Sequence, residues 1–114
     1  MKKHSFAKSE RLLKSAEFAR VKRLGKKQFT ENFTAHLLST QTERTRIGIS
    51  ISARVANAVK RNRIKRLIRE FFRLNKDALP PSTDALITAK KDSSKNTYAQ
   101  TEIELKRLFK KGPL

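Results

Sequence analysis

The residues best suited to chemistry lie at positions 57–69, which read Asn-Ala-Val-Lys-Arg-Asn-Arg-Ile-Lys-Arg-Leu-Ile-Arg. Arginine presents a planar fork of donors that fits phosphate oxygens and stacks on bases, and lysine adds a mobile charge. Asparagine both donates and accepts hydrogen bonds, so it suits 2′-hydroxyls and base edges. A charged helix face that meets only water typically carries glutamates four residues from its cations. Because Glu70 is the single acidic residue of segment 54–73, we predict that this segment binds nucleic acid.

A second candidate group combines aromatic rings with cations, which together can stack and hold unpaired bases. Its members are Phe18, Lys22, Phe33, His36, Lys90 and Lys91. The alternative is that Phe18 and Phe33 are core residues, and the residue pattern alone favours that alternative.

Catalytic chemistry has little support in the sequence. His4 and His36 lie far apart, and neither accompanies a carboxylate or cysteine pattern. The carboxylates are few and form no acid–base or metal-binding constellation. The glycines are isolated, so no glycine-rich loop is available to hold phosphates. We therefore predict no catalytic residue, no metal site and no cofactor held by the protein itself.

The charge of the chain points to a polyanionic partner. Its 114 residues include 28 basic and 10 acidic side chains, which give a net charge of +18. Segments 1–30 and 54–73 are strongly basic and segment 31–53 is neutral, and such a field attracts polyanions. Composition alone leaves RNA, DNA and anionic lipid open. The sequence has no apolar run that could cross a membrane, no apolar stretch of a secretory signal and no cysteine, so we expect a cytoplasmic protein.

The elements that must position these residues follow from hydrophobic spacing. A basic arm is expected over 1–14 and a short tail over 111–114. Apolar residues at helical spacing predict a first helix from Ser15 to Leu24, which Gly25 ends. Segment 26–32 is expected to be a polar connector. Two strands follow, over 33–39 and 46–52, the second with clear period-two alternation.

The second half predicts a long helix, a strand and a final helix. The helix is expected from Arg54 to Asn75, and its predicted buried stripe is Ile64, Leu67, Ile68, Phe71 and Leu74. A strand is expected over 84–89. A capping box beginning at Thr97 predicts the last helix, which runs to about Lys110. The expected fold class is a single-domain α+β layer sandwich.

Segment 46–73 resembles the signature of the bacterial ribonuclease P protein subunit family. The hallmark of that family is Arg-Asn-Arg, here Arg61-Asn62-Arg63, preceded by an Ile-Gly-Ile-Ser-Ile-Ser strand and Asn-Ala-Val and followed by Ile-Lys-Arg-Leu-Ile-Arg. The resemblance implies the order α-β-β-(β)-α-β-α, with the long basic helix packed on a central sheet. It also implies a left-handed crossover between parallel strands, against the right-handed default.

The resemblance further implies a non-catalytic subunit of a ribonucleoprotein. In that family the protein binds a large catalytic RNA, and the complex removes the 5′ leader of precursor tRNA by hydrolysis with magnesium ions held largely by the RNA. The implied partners are the ribonuclease P catalytic RNA and precursor tRNA, with neither DNA nor membrane, and the free protein is expected to be monomeric.

Two sets of site residues are implied by the resemblance. The catalytic-RNA face would consist of Arg54, Asn57, Lys60, Arg61, Asn62, Arg63, Lys65, Arg66 and Arg69. The cleft for the precursor leader would consist of Phe18, Val21, Lys22, Phe33, His36, Ser50 and Lys90.

Three residues depart from the family pattern. Lys22 stands where many relatives have a second aromatic, Ala53 replaces a basic residue, and Ala56 replaces a glycine. Phosphate pairing is the expected role of Lys22, and Ala56 should need no positive φ. The resemblance also makes Phe18 an expected leader contact.

Two other classes of function are compatible with parts of this pattern. A ribosomal protein or general RNA chaperone would have the same composition. A cationic peptide on a membrane surface would share the amphipathic long helix, although the predicted strands and final helix give its apolar face a partner within the chain.

Overall fold

The computed structural model describes Arg11 and residues 14–41, 43–76 and 79–110. Most of the expected arm and the whole expected tail lie outside these ranges. The elements in chain order are α1 Ser15–Leu24, β1 Lys26–Phe29, β2 Phe33–Ser39, β3 Arg46–Ser50, α2 Ala58–Leu74, β4 Thr83–Ala89 and α3 Tyr98–Lys110. The predicted α+β class is confirmed, and so is the element order implied by the family resemblance.

The four strands form one sheet in the order β1-β2-β4-β3. β2 pairs antiparallel with both β1 and β4, whereas β3 and β4 are parallel and are joined through α2. The polar connector predicted over 26–32 is wrong, because residues 26–29 form the edge strand β1. Its sequence has no apolar alternation since most of its side chains remain exposed. The left-handed path of the crossover stays a prediction.

The main core lies between the sheet and the helices α2 and α3. Inward residues of β2, β3 and β4 meet Ile64, Ile68, Phe71 and Phe72 of α2 and Leu105 and Leu108 of α3. The stripe predicted for α2 is partly wrong. Leu74 is 43% exposed and Leu67 is only half-buried, whereas Phe72 is buried. The reason is α3, whose Phe109 ring contacts both Phe71 and Phe72 and so widens the buried sector of α2.

The long helix begins later than predicted. Asn57 is its N-cap, and the Asn57 side chain accepts a hydrogen bond from the backbone N–H of Lys60 at 2.9 Å. Arg54 lies in the preceding turn, where the N–H of Val55 donates to the carbonyl of Ser52. An asparagine cap satisfies a free N–H of the first turn, so the helix starts at Ala58 and not at Arg54.

α1 covers part of the opposite face of the sheet. Val21 and Leu86 form a small cluster there, with Phe18 and Leu38 packed against it. Arg46 of β3 donates two hydrogen bonds to Asp84 of β4, at 2.9 and 2.7 Å. The same guanidinium forms an ion pair with Glu17 of α1 at 2.7 Å, which fixes the helix to the sheet. The sheet therefore separates α1 from α2.

Candidate nucleic-acid interface

The polar face of α2 points away from the core. An α-helix turns by about 100° per residue, which brings Asn62, Arg66, Arg69 and Arg73 into one sector opposite the buried stripe. These residues line a concavity of about 400 Å³ together with Glu70 and Arg11. Glu70 pairs with Arg73 at 2.6 Å. Among the described residues no acid pairs with Arg66 or Arg69, so this concavity offers uncompensated guanidinium groups to an anion.

The two arginines of Arg61-Asn62-Arg63 project to opposite flanks of α2, because positions two apart differ by about 200°. Nη1 of Arg61 donates to the carbonyl of Ala56 at 2.9 Å, and Nε of Arg63 donates to the carbonyl of Ser94 at 2.5 Å. Each carbonyl holds one guanidinium in place and leaves its other N–H groups for a ligand. The motif therefore spans the helix, with Asn62 exposed between the arginines.

The remaining residues predicted for this face have mixed surroundings. Nζ of Lys60 lies 3.6 Å from Oδ2 of Asp92. Hydrogen bonds from Ser94 hold the pKa of the Asp92 carboxyl below its usual value. The side-chain oxygen Oδ1 of Asn57 is engaged in the helix cap. Arg54 is exposed in the turn before the helix, and Lys65 is half-buried on its flank. The structure thus brings most of the predicted face together around the first three turns of α2, with Arg54 just outside the helix.

The second predicted group, apart from Phe33, lies on the face of the sheet that carries α1. We call the surface formed by Phe18, Lys22, His36 and Ser50, with Val21 buried beneath it, the α1 groove. Strand side chains alternate between faces, and the core positions Ala35, Leu37 and Ile49 therefore turn their neighbours His36 and Ser50 towards α1. Val21 is buried beneath the helix, Phe18 is half-buried, and Lys22 and Ser50 are exposed. Most of the predicted cleft is thus brought together.

Phe33 does not belong to this group. It is 1% exposed and packs in the main core with the α2 and α3 side chains. Phe33 and His36 are three residues apart on one strand, so their side chains must point to opposite faces. The structure places Phe33 where no leader could touch it.

His36 is the buried titratable group of the groove. Its side chain is 8% exposed, and Nδ1 has no hydrogen-bond partner. Burial lowers the pKa of the imidazole, and the nearby charges of Lys27 and Lys22 lower it further. The lowered pKa favours the neutral ring, and the unpartnered Nδ1 is itself buried.

Sequence reasoning missed one residue of this surface, Phe29. The register pairs Phe29 of β1 with Thr34 of β2, which places both on the α1 face. Phe29 is 63% exposed, and Nζ of Lys90 lies over its ring, 5.1 Å from the centroid. Finding this residue from the sequence would have required the pairing of β1, whose own residues carry no strand pattern.

The loop after β4 links the α1 face of the sheet to α2 at one end of the sheet. We call this end the hairpin end, because the β1–β2 turn lies there with the carboxyl ends of the parallel strands β3 and β4 and the start of α2. The contacts of Lys60 with Asp92 and of Arg63 with Ser94 tie α2 to the loop after β4. Nζ of Lys90 donates to the carbonyl of Thr30 in the hairpin at 2.6 Å. This end of the sheet therefore links Lys90 of one predicted group to Lys60 and Arg63 of the other.

Two negative findings hold for the described ranges. Their histidine, aspartate and glutamate residues form no group of three or more that could hold a metal ion. No helix within them is long and apolar enough to cross a membrane.

Fold and surfaces together define a small α+β protein with two basic surfaces suited to RNA. The family model described as Ribonuclease P matches residues 6–112. The chain belongs to the ribonuclease P protein family.

Individual relatives agree with this assignment. The chain is 44% identical to the ribonuclease P protein component of Desulforapulum autotrophicum, over 97% of this chain and 95% of that protein. The solved ribonuclease P protein of Staphylococcus aureus is similar with a TM-score of 0.82 and 31% identity, over 90% of this chain and 94% of that one. The ribonuclease P protein from Thermotoga maritima is similar with a TM-score of 0.83 and 27% identity, over 92% and 99% of the two chains.

Proposed function

We propose that this chain is the protein subunit of a ribonuclease P ribonucleoprotein. In this proposal the polar face of α2 binds the catalytic RNA, and the α1 groove binds the 5′ leader of precursor tRNA. The observation that carries the proposal is the set of contacts at the hairpin end, in a chain of this family: they join Lys90 on the α1 face, through the loop after β4, to Lys60 and Arg63 of α2. A substrate whose leader lies in the groove would then be adjacent to the RNA bound on α2.

The chemistry of the side chains supports this division of labour. Arg66 and Arg69 face outward from α2 and suit the phosphates of a folded RNA. The groove offers a half-buried ring at Phe18, a neutral imidazole at His36 and a cation at Lys22, which suit unpaired nucleotides. The leader is an unpaired strand, so it is a part of the substrate that such a groove could bind.

The hydrolysis itself is assigned to the RNA partner. Magnesium ions bound by that RNA would activate the attacking water and stabilise the leaving oxygen. The protein would hold the leader in position and reduce the repulsion between two polyanions. We place the complex in the cytoplasm, and we propose that the protein is monomeric before it binds RNA.

Reconstitution with the cognate catalytic RNA tests the proposal. Precursor tRNA with a 5′ leader is incubated with RNA alone and with RNA plus protein at low magnesium, and release of the leader is measured. The protein should accelerate correct 5′ maturation. No acceleration over RNA alone, together with recovery of only ribosomal RNA when the protein is purified from cells, would instead favour a ribosomal protein or RNA chaperone.

A further inference from the structure

Phe29 is an exposed aromatic ring that the fold does not use. It is the one aromatic side chain among the exposed large apolar residues of the described ranges, at 63% exposure. β1 is the edge strand of the sheet, and Phe29 is its last residue. A ring at this position contributes little apolar burial to the core, so its presence calls for another explanation.

Lys90 is held beside this ring by the backbone. Its Nζ donates to the carbonyl of Thr30 at 2.6 Å, and its own N–H donates to the carbonyl of Asn32 at 2.7 Å. The same ammonium lies 5.1 Å from the Phe29 centroid. Lys90 can cover at most one face of the ring, and the exposure of Phe29 leaves the remainder to solvent.

The hairpin that carries Phe29 is itself fixed to α3. Glu104 accepts hydrogen bonds from the Thr30 hydroxyl at 2.5 Å, from the N–H of Asn32 at 2.6 Å and from the Asn32 side chain at 2.8 Å. Hydrogen bonds to a charged acceptor are stronger than neutral ones. The ring and the ammonium are therefore presented by an anchored turn, and little ordering would be needed when a ligand binds.

The distance between the α1 groove and the pair formed by Phe29 and Lys90 indicates which ligand could reach both. Leu38 of β2 packs against the cluster under α1. Thr34, which pairs with Phe29, lies four residues before Leu38 on the same strand. This separation is about 13 Å at the rise of a strand. Lys27 of β1 faces the same side as His36, its partner in the register. A strand of RNA leaving Phe18 would pass Lys27 before it reached Phe29.

We propose that Phe29 and Lys90 form a second nucleotide subsite, in which the ring stacks on one unpaired base of the leader and the ammonium pairs with a neighbouring phosphate. The proposal rests on the proposed function, because it assumes that a leader occupies the α1 groove. Stacking on an aromatic ring tolerates any base, since every base has a π face. The subsite therefore adds affinity that depends on leader length more than on leader sequence.

The test measures the affinity of the reconstituted holoenzyme for precursor tRNAs whose leaders increase in length one nucleotide at a time from none. The protein variants are Phe29→Ala, Phe29→Trp, Phe18→Ala and Leu74→Ala. Leu74 is a matched control, because it is 43% exposed at the far end of α2. Thermal melts of each variant check that the fold is retained, which the exposed positions of Phe29 and Leu74 should allow.

The expected result is a loss in Phe29→Ala that appears only beyond a threshold leader length. The loss should be about 5- to 150-fold, the range for one stacked base. Phe29→Trp should retain the affinity, and Leu74→Ala should match the wild type at every length. In a separate salt titration with long leaders, Lys90→Gln should reduce the slope of log affinity against log salt by about 0.7, the value for one phosphate of a single strand.

Three outcomes would overturn the proposal. Wild-type affinity of Phe29→Ala at every length, with leader affinity lost in Phe18→Ala, would refute the subsite and leave the proposed function standing. No effect of either variant would refute both. An equal loss with leaderless tRNA would show that Phe29 acts on the tRNA body or the fold and not on the leader.

Discussion

Replacing Arg46 by alanine would leave the carboxylate of Asp84 buried without its cation. The Asp84 side chain is 2% exposed, and Arg46 holds both of its oxygens while a third N–H reaches Glu17. These hydrogen bonds raise the pKa of Arg46 further above its usual value, so the guanidinium stays charged under all ordinary conditions. Removing one partner of a buried ion pair costs about 3–5 kcal/mol.

That loss should lower the midpoint of thermal unfolding by roughly 12–20 °C for a domain of this size. Urea unfolding measured by circular dichroism gives the free energy directly. Glu17→Gln is the matched control, because it removes only the partly exposed arm of the network and should cost less than about 1 kcal/mol. The double variant Arg46→Leu with Asp84→Leu should recover part of the loss, since it leaves no orphaned charge.

A cost below about 1 kcal/mol for Arg46→Ala would refute this reasoning, because it would place the pair in the energetic class of surface ion pairs. Equal costs for Arg46→Ala and the double variant would also refute it. The Arg46–Glu17 contact also holds the part of α1 that carries Phe18, because Glu17 immediately precedes Phe18 in the helix. Arg46→Ala should therefore weaken leader binding even under conditions in which the protein remains folded.

The other predictions concern the interface and the hairpin. Arg66→Ala should reduce the salt slope of RNA binding by about one unit or less, and Lys106→Ala on the exposed side of α3 should leave it unchanged; equal slopes for the two variants would remove α2 from the interface. The His36 imidazole should titrate by NMR below 6.5 because burial disfavours its charged form; a midpoint at or above 6.5 in the free protein would contradict this. The unfolded chain takes up the His36 proton at a higher pH than the folded protein does, so the contribution of His36 to stability is complete above about pH 6.5 and is lost as the pH falls towards the lower folded pKa. Over this range the free energy of unfolding should fall more steeply with decreasing pH in the wild type than in His36→Gln. Glu104→Ala should cost about 1.5–3 kcal/mol, measured by urea unfolding, because its carboxylate accepts three hydrogen bonds from the hairpin. Glu102→Ala on the same helix is the comparison, because that carboxylate accepts a hydrogen bond from Tyr98 at 3.2 Å; equal costs would show that the hairpin anchor adds nothing.

Helical spacing and the Arg-Asn-Arg motif were sufficient to predict α1, α2 and the basic face. β1 could not be predicted in the same way, because a polar edge strand gains its hydrogen bonds from β2 and buries little. The start of α2 was misplaced since helical spacing extends back to Arg54, whereas the cap at Asn57 decides where the helix begins. Phe33 does not line the cleft beside His36, because alternation on β2 turns the two side chains to opposite faces of the sheet.

The acidic residues explain how a chain of net charge +18 folds and still presents bare cations. Glu17 and Asp84 attach α1 to the sheet through Arg46, and Glu104 attaches the hairpin to α3. Asp92, in the loop after β4, forms an ion pair with Lys60 of α2. These carboxylates lie where elements join, so each neutralises a cation or holds a backbone group that fixes the architecture. Arg66 and Arg69 on the outer face of α2 have no such partner within the described residues. Binding of an anion there would relieve repulsion and stabilise the native state by mass action, so the features that make the free protein electrostatically strained are those that would favour its assembly with RNA.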